Sequence, residues 1–392
     1  MQAAHDDSPQ TSFTSEPISR IQSLDRIRGF AILGILILNI QAMAAPYHAY
    51  STPYWNQSNA SFWEVIAFQF VFFLFDGRFM AMLSMLFGAG LLIQLDSQTK
   101  RKVSSRLIWL MLFGFVHGVF LWMGDILLFY GLCGFILIQT QFNKLSIKQL
   151  LKRVLAVMSI LIFLLIIFYF GMIMLLSEGE TLGVVISEYE RIIQISIWTA
   201  PYVYQIKQQA IEYAWLFVDP SSYFLVMFCM LLGTLLYRMD FYKNGLPKNS
   251  VLAVVVLAMV CSFIPAYLVH KYHYLDRSVV EYYSIFKLIG TILMAIIYSH
   301  IFIKLSQQNR IAKWFENAGK LALTLYISQS IAMLLLFRVV MVQWYATLNR
   351  VEVLVIALLF IVCQLIFSQI YFKYFKQGPI EWVWRMLVKK TS

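Results

Sequence analysis

His117 and Asp125 are the two side chains whose types and spacing best suit proton transfer in this sequence. His117 lies in the run Arg106-Leu-Ile-Trp-Leu-Met-Leu-Phe-Gly-Phe-Val-His117, eleven residues past a cationic boundary. At about 1.5 Å per residue this places it about 16 Å along a helix, close to the middle of a hydrocarbon layer about 30 Å thick. Imidazole has an unperturbed pKa near 6.5 and serves as a general base close to neutral pH. Gly114 and Gly118 flank it and admit a neighbouring helix or a ligand. The same histidine also suits a purely structural hydrogen bond between helices. Asp125, in Trp122-Met-Gly-Asp125-Ile, falls at the far end of the same helical hairpin. It can orient an acceptor hydroxyl or hold a histidine, and it can equally cap a helix starting at Ile126, since Asp is a favoured N-cap. Tyr130 follows within reach of the same place.

Other polar groups fall at or near membrane depth, where ionisable side chains are costly and mark functional sites by default. Asp76 and Arg78 are close enough to pair locally and flank Gly77, so they read as a break between helices and as a polar site at one end. Arg28 starts the first apolar run and suits a phosphate, or simple snorkelling; Asn39 follows eleven residues later at mid-depth. Gln329 and Thr324 in a late span, and Lys287 and Arg338 near span ends, are weaker candidates. No Walker loop, dinucleotide fingerprint, zinc motif or nucleophile elbow occurs. The four cysteines (Cys133, Cys229, Cys261, Cys363) sit inside apolar runs without metal-ligand spacing, so neither a disulfide nor a bound metal is expected.

The elements that must position these groups are membrane-spanning helices. The chain is 60% hydrophobic and 13% charged, against roughly 45–50% and about 25% for a soluble domain. Apolar runs predict crossings at about 27–45, 79–95, 106–122, 126–141, 154–176, 221–238, 251–269, 282–303, 320–341 and 353–373. The fold class is thus all-α and polytopic, a bundle of about ten transmembrane helices, with eleven as the alternative. The net charge of +11 does not indicate nucleic acid, because the cations collect in alternate inter-helix loops. Lys100, Arg101, Lys102 and Arg106 mark one such loop, and Lys144, Lys148, Lys152 and Arg153 mark another. The positive-inside rule assigns that side, with both termini, to the cytoplasm. Residues 61–95 must then cross only once, so 61–75, rich in Phe and Trp, is expected as an interfacial or re-entrant helix on the outer side. Two crossings there are the alternative. Residues 1–19 read as a disordered cytoplasmic tail, 20–376 as the helical membrane domain with an acidic outer loop over about 177–220, and 377–392 as a cytoplasmic C-terminal segment. Small-residue pairs such as Gly88 and Gly90, or Gly131 and Gly134, suit helix packing within one chain or across a homodimer.

Several of these residues fall in motifs. Leu24-Asp25-Arg26-Ile27-Arg28-Gly29 with Asn39, Leu86-Phe87-Gly88-Ala89-Gly90, Gly114-Phe115-Val116-His117-Gly118 and Gly124-Asp125-Ile126-Leu127 resemble the YeiB-type bacterial membrane proteins, classed as domain of unknown function 418. So do Gly319-Lys320-Leu321-Ala322-Leu323-Thr324 through Tyr326 and Gln329, and Gly378-Pro379-Ile380-Glu381-Trp382-Val383-Trp384-Arg385. The motifs run over nearly the whole chain. A wider similarity is to transmembrane acyltransferases, including the membrane acyltransferase-3 enzymes and the lysosomal heparan glucosaminide acetyltransferase. That resemblance implies about ten helices and transfer of an acyl group from cytoplasmic acyl-CoA to an outer-face acceptor. The acyltransferase-3 pattern is a basic residue, ten others and a histidine on the first helix. Here Arg28 leads by that spacing to Asn39, whereas Arg106 leads to His117 on the third span. His48, after the first span, is a second histidine outside the motifs.

The expected function is therefore an integral acyltransferase of the bacterial cytoplasmic (inner) membrane. Acyl-CoA is a co-substrate with its phosphates near Arg28 and Arg106, His117 is the base, Asp125 orients it, and the acceptor is an envelope glycan or lipid. A lipid or solute transporter using His117 and Asp125 as a proton relay, and a non-catalytic envelope assembly protein, are the rival readings.

Overall fold

The computed structural model describes residues 21–45, 60–175, 210, 220–271, 284–305 and 309–391, with 168–175 and 284 described by their backbone alone. The N-terminal tail, His48 and all but residues 210 and 220 of the segment expected as a long loop lie outside the described residues. Among the described residues the secondary structure is helical and no strand occurs. The chain is a polytopic all-α membrane protein. Among the described residues nine helical stretches are long and apolar enough to cross a bilayer, and a shorter apolar helix, Leu127–Gln139, accompanies them.

In chain order the helices are α1 (Gln22–Met43), α2 (Phe62–Leu74), α3 (Arg78–Ser97), α4 (Lys100–Phe120), α5 (Leu127–Gln139), α6 (Ile147–Leu175), α7 (Ser221–Arg238), α8 (Lys248–Lys271), α9 (Ser284–Lys304), α10 (Arg310–Lys320), α11 (Ala322–Leu335), α12 (Arg350–Tyr374) and α13 (Pro379–Thr391). α1 is the central post, packing against α3, α9, α10, α11 and α12. Its most apolar window is largely buried, whereas α6 and α12 turn most of theirs outward. An apolar residue gains nothing by leaving lipid for protein, so tight packing and polar contacts must hold such helices together. Small residues supply the close approach. A Cβ on Gly88 would fall 1.9 Å from the Met230 carbonyl oxygen of α7, and one on Gly131 would fall 2.4 Å from Met111 of α4. These two glycines therefore pack within the chain; Gly90 faces open space.

The expected break at Asp76-Gly77-Arg78 is present. α2 ends at Leu74, and Gly77, at φ +76°, starts α3 from a left-handed conformation that glycine adopts at little cost. α2 opens on a capping box in which Ser61 and Glu64 exchange side-chain and backbone hydrogen bonds. Along α2, Phe68 lies under the Arg350 guanidinium at the first residue of α12, and Phe72 lies near Lys287 in the first turn of α9. Its last turn reaches inward, where the Leu74 carbonyl accepts from Tyr298 and that of Phe73 from Arg78. α2 thus enters and turns at one end of the bundle, and α3 alone continues to the other end. Phe62, Trp63, Ile66 and Phe70 are exposed on its outer face.

Two elements differ from expectation. The predicted span 126–141 is a helix of only 13 residues, about 20 Å long at 1.5 Å per residue. Residues 310–320, almost all of them between the predicted spans 282–303 and 320–341, form the amphipathic helix α10 against α1.

Candidate functional site

The link between α4 and α5 carries the site. α4 ends at Phe120, and Leu121 and Trp122 both return their N–H to the His117 carbonyl. The chain then turns through Gly124 and Asp125 into α5. Asp125 performs two of the tasks open to it. Its Oδ2 accepts from the Leu128 N–H at 2.8 Å, capping α5, and its Oδ1 lies 2.9 Å from His117 Nδ1. His117 Nε2 lies 2.8 Å from Ser330 Oγ on α11. The three side chains form one hydrogen-bonded chain across α4, α5 and α11, and each residue is under a tenth exposed. Tyr326, one turn before Ser330, packs its ring 4.9 Å from the imidazole, and its hydroxyl donates to the Gly124 carbonyl at 3.4 Å. Gly114 makes the hairpin close enough. A Cβ there would sit 2.2 Å from the Leu128 nitrogen and 2.7 Å from Asp125 Oδ2.

Beside this chain lies a cavity of about 480 Å³. Its walls come from α1 (Leu38, Asn39), the α2–α3 turn (Asp76, Gly77), the α4–α5 link (Trp122 to Ile126), Tyr130, α6 (Leu161, Leu165), α7 (Leu225, Val226) and α9 (Lys287, Thr291). Asp125 lines it and His117 does not. The order of the pair is therefore the reverse of the sequence expectation. The carboxylate faces the cavity, and the imidazole stands behind it with both ring nitrogens engaged.

The cavity also gathers Asn39, Asp76 and Tyr130 from the residues singled out by sequence. Asp76 does not pair with Arg78 through its carboxylate, as local spacing suggested. Its Oδ2 meets Lys287 Nζ at 2.6 Å, while Arg78 turns away to the backbone carbonyls of Asp76 and Phe73 and to Ser262 Oγ. Tyr130 donates to the Met80 carbonyl at 2.9 Å, so its hydroxyl is spent on α3. Two groups on the wall are unspent. Among the described residues the buried Trp122 indole N–H has no hydrogen-bond partner and the Asn39 amide forms no hydrogen bond.

The remaining candidates sit elsewhere. Gln329 bridges the Ile32 carbonyl and Gln364, joining α1, α11 and α12. Arg28 pairs with Asp25 at 3.0 Å. Arg106 reaches Gln98 and lies 5.1 Å over the Trp384 ring of α13. These arginines share the basic end of the bundle, opposite the cavity, but have different partners.

α13 explains two of the motifs. Glu381 accepts from the Leu323 and Thr324 N–H groups at 2.8 and 3.1 Å and from the Thr324 hydroxyl, capping α11 from outside its own chain segment. Trp384 donates to the Arg106 carbonyl at 3.2 Å. The C-terminal helix thus clamps the basic ends of α4 and α11, the helices that carry His117 and Ser330. Sequence reasoning missed Ser330, whose partner lies 213 positions away. It ranked Lys287 low.

Known proteins agree with the motif reading. Residues 236–391 match the model of the family described as protein of unknown function (DUF418). The uncharacterized protein YeiB of Escherichia coli (strain K12) is 28% identical over 389 residues, which cover 96% of this chain and 98% of that protein. The uncharacterized protein YxaH of Bacillus subtilis (strain 168) is 25% identical, covering 96% of this chain and 95% of its own length. No solved structure matches the chain. The family match at the C-terminal part, with relatives aligned over almost the full length, supports a YeiB-like DUF418 relationship for the chain.

Proposed function

We propose that the protein is an integral membrane acyltransferase of the bacterial cytoplasmic membrane, moving an acyl group from acyl-CoA to an envelope glycan or lipid. The observation that carries this reading is the Asp125 carboxylate on the cavity wall with His117 hydrogen-bonded behind it. An acceptor hydroxyl beside Asp125 gives its proton to the Asp125–His117 pair as its oxygen bonds to the acyl carbon. The carbon–sulfur bond breaks, the proton ends on the CoA sulfur, and the products are an ester and CoA thiol. An amine acceptor gives an amide by the same steps. Such a positioned base is typically worth about 10²–10⁴ in rate. The basic end faces the cytoplasm by the positive-inside rule, where Arg28 and Arg106 meet the phosphates of acyl-CoA, and the cavity opens toward the outer leaflet.

The test is CoA release by the purified protein in lipid nanodiscs, with short- and long-chain acyl-CoA and an envelope extract. Acceptor-dependent release is expected, falling about 10²–10⁴-fold in Asp125→Asn and His117→Gln. The Arg28→Ala, Arg106→Ala double variant is expected to raise KM for acyl-CoA. Turnover unchanged in the Asp125 and His117 variants overturns the assignment. One observation favours a second reading, a transporter or flippase. The sealed imidazole, bonded on both nitrogens, suits a proton relay. Substrate movement across vesicles without CoA consumption would put that reading first.

A further inference from the structure

The cavity has more chemistry than a proton acceptor needs. Trp122 is 5% exposed, yet its indole N–H meets no acceptor among the described residues. A buried donor left unpaired destabilises the fold, and a ligand oxygen removes that cost. The group sits at the α4–α5 turn, since a Cβ on Gly124 would lie 2.5 Å from it. Asn39, on the same cavity, offers both a donor and an acceptor. Asp125 adds carboxylate oxygens, and Lys287 is neutralised by Asp76 at 2.6 Å. No arginine lines the cavity among the described residues, and the carboxylates outnumber the ammonium. An anionic phosphate would therefore face uncompensated negative charge, whereas a head of several neutral hydroxyls matches alternating donors and acceptors. The facing wall is mainly apolar, with Ser221 and Ser222 at the start of α7 as its polar residues. Leu161 and Leu165 of α6 stand with Leu225 and Val226 of α7, and α6 presents Phe163, Ile166 and Ile167 to the outside.

We infer that the cavity binds an uncharged glycolipid, its sugar head at Asn39, Trp122 and Asp125 and its chain along the α6–α7 wall. This deepens the acyl-transfer reading, on which it rests for the lipid's being the acceptor; the binding itself does not depend on a donor. The experiment is native mass spectrometry of the full chain, titrated with monoglucosyl diacylglycerol, phosphatidylglycerol and free glucose. The glucolipid should be retained about tenfold more tightly than phosphatidylglycerol, a difference of about 1.4 kcal/mol, and glucose should not be retained. Trp122→Phe keeps the ring and removes the N–H, and Asn39→Ala removes the amide. Each should weaken glucolipid retention about fivefold, one hydrogen bond's worth. Leu225→Trp should fill the chain wall and abolish retention. Equal retention of the two lipids overturns the proposal, as does retention of glucose alone or glucolipid binding indifferent to all three variants. A glucolipid that binds as expected but is never acylated supports the site and sinks the acyl-transfer reading. CoA release onto a water-soluble sugar without glucolipid retention does the reverse.

Discussion

The two ends of the bundle treat their polar groups in opposite ways. At the basic end most polar side chains consume one another, the buried Arg26 Nε being an exception among the described residues. Glu381 is taken up by the start of α11, Arg106 by Trp384 and Gln98, Arg238 by the carbonyls of Asn143 and Leu145, and Glu316 by Lys313 and Lys320. At the cavity end, the Asp125–His117–Ser330 chain lies beside a cavity with the half-buried Asn39 amide on its wall and a buried indole N–H that has no partner among the described residues. Polar groups that satisfy each other hold helices in register. Polar groups kept buried and incompletely satisfied raise the energy of the folded state, and a ligand recovers it. The contrast separates scaffold from site better than residue type does, because both ends contain charged side chains.

Mutations that strike the two ends differently test this division. The largest effect is expected from Asp125→Ala. It leaves the Leu128 N–H and the His117 ring without their acceptor, at about 1–3 kcal/mol for each donor, and removes the cavity carboxylate. Thermal unfolding in detergent should fall and CoA release should vanish. Asp125→Asn should restore most of the stability while turnover stays about 10²–10⁴-fold down. If the asparagine variant turns over normally, the cavity end is scaffold as well.

Gly114→Ala ranks next. The added methyl would overlap the Leu128 nitrogen and crowd Asp125 Oδ2, so the α4–α5 hairpin must shift, at about 1–3 kcal/mol for an overpacked site. Turnover should drop further than the stability loss explains, since the shift moves the carboxylate itself. Glu381→Gln is the counterpart at the basic end. A neutral amide still accepts one of the α11 N–H groups, so the loss should be about 0.5–2 kcal/mol, the usual value of a helix cap. Turnover per folded molecule should stay unchanged. A large fall there, with stability intact, would mean that the clamp on α4 and α11 sets the His117–Ser330 geometry rather than merely holding it.

What was legible in the sequence follows the range of the interactions. The break at Gly77 and the α4–α5 turn are local: Asp-Gly-Arg and Gly-Asp interrupt apolar runs, and a polar pair with glycine has few other uses there. His117 and Asp125 were found together because one hairpin joins them. Ser330 was not, since a serine inside an apolar helix has no local mark and its partner comes from another helix. Lys287 near a span end is a weak candidate by sequence, because its partner Asp76 lies far away in the chain. α10 was hidden by its charges. Arg310, Lys313 and Lys320 suggested a loop, although Ala312, Glu316 and Gly319 repeat at helical spacing on the face that α1 covers.

That helix also offers the smallest test, and one confined to the scaffold. Burial pushes the Glu316 carboxyl up, but hydrogen bonds and charge from Lys320 at 2.5 Å and Lys313 at 3.2 Å outweigh it, so the group titrates below the usual carboxylate range. A carboxyl whose folded pKa is depressed stabilises the fold above its unfolded value, about 4.3 for Glu, and loses that contribution as pH falls through the lowered value. The pair is therefore at full strength at neutral pH and fails only in acid, and its worth should stay below about 1 kcal/mol. Lys320→Met should move the acid-unfolding midpoint to higher pH, and Lys313→Met should move it less, because its contact is longer. Transfer measured at neutral pH should not change in either variant. Superimposable acid profiles for the two variants and the parent would show that the basic end is held by its backbone caps and packing rather than by its charges.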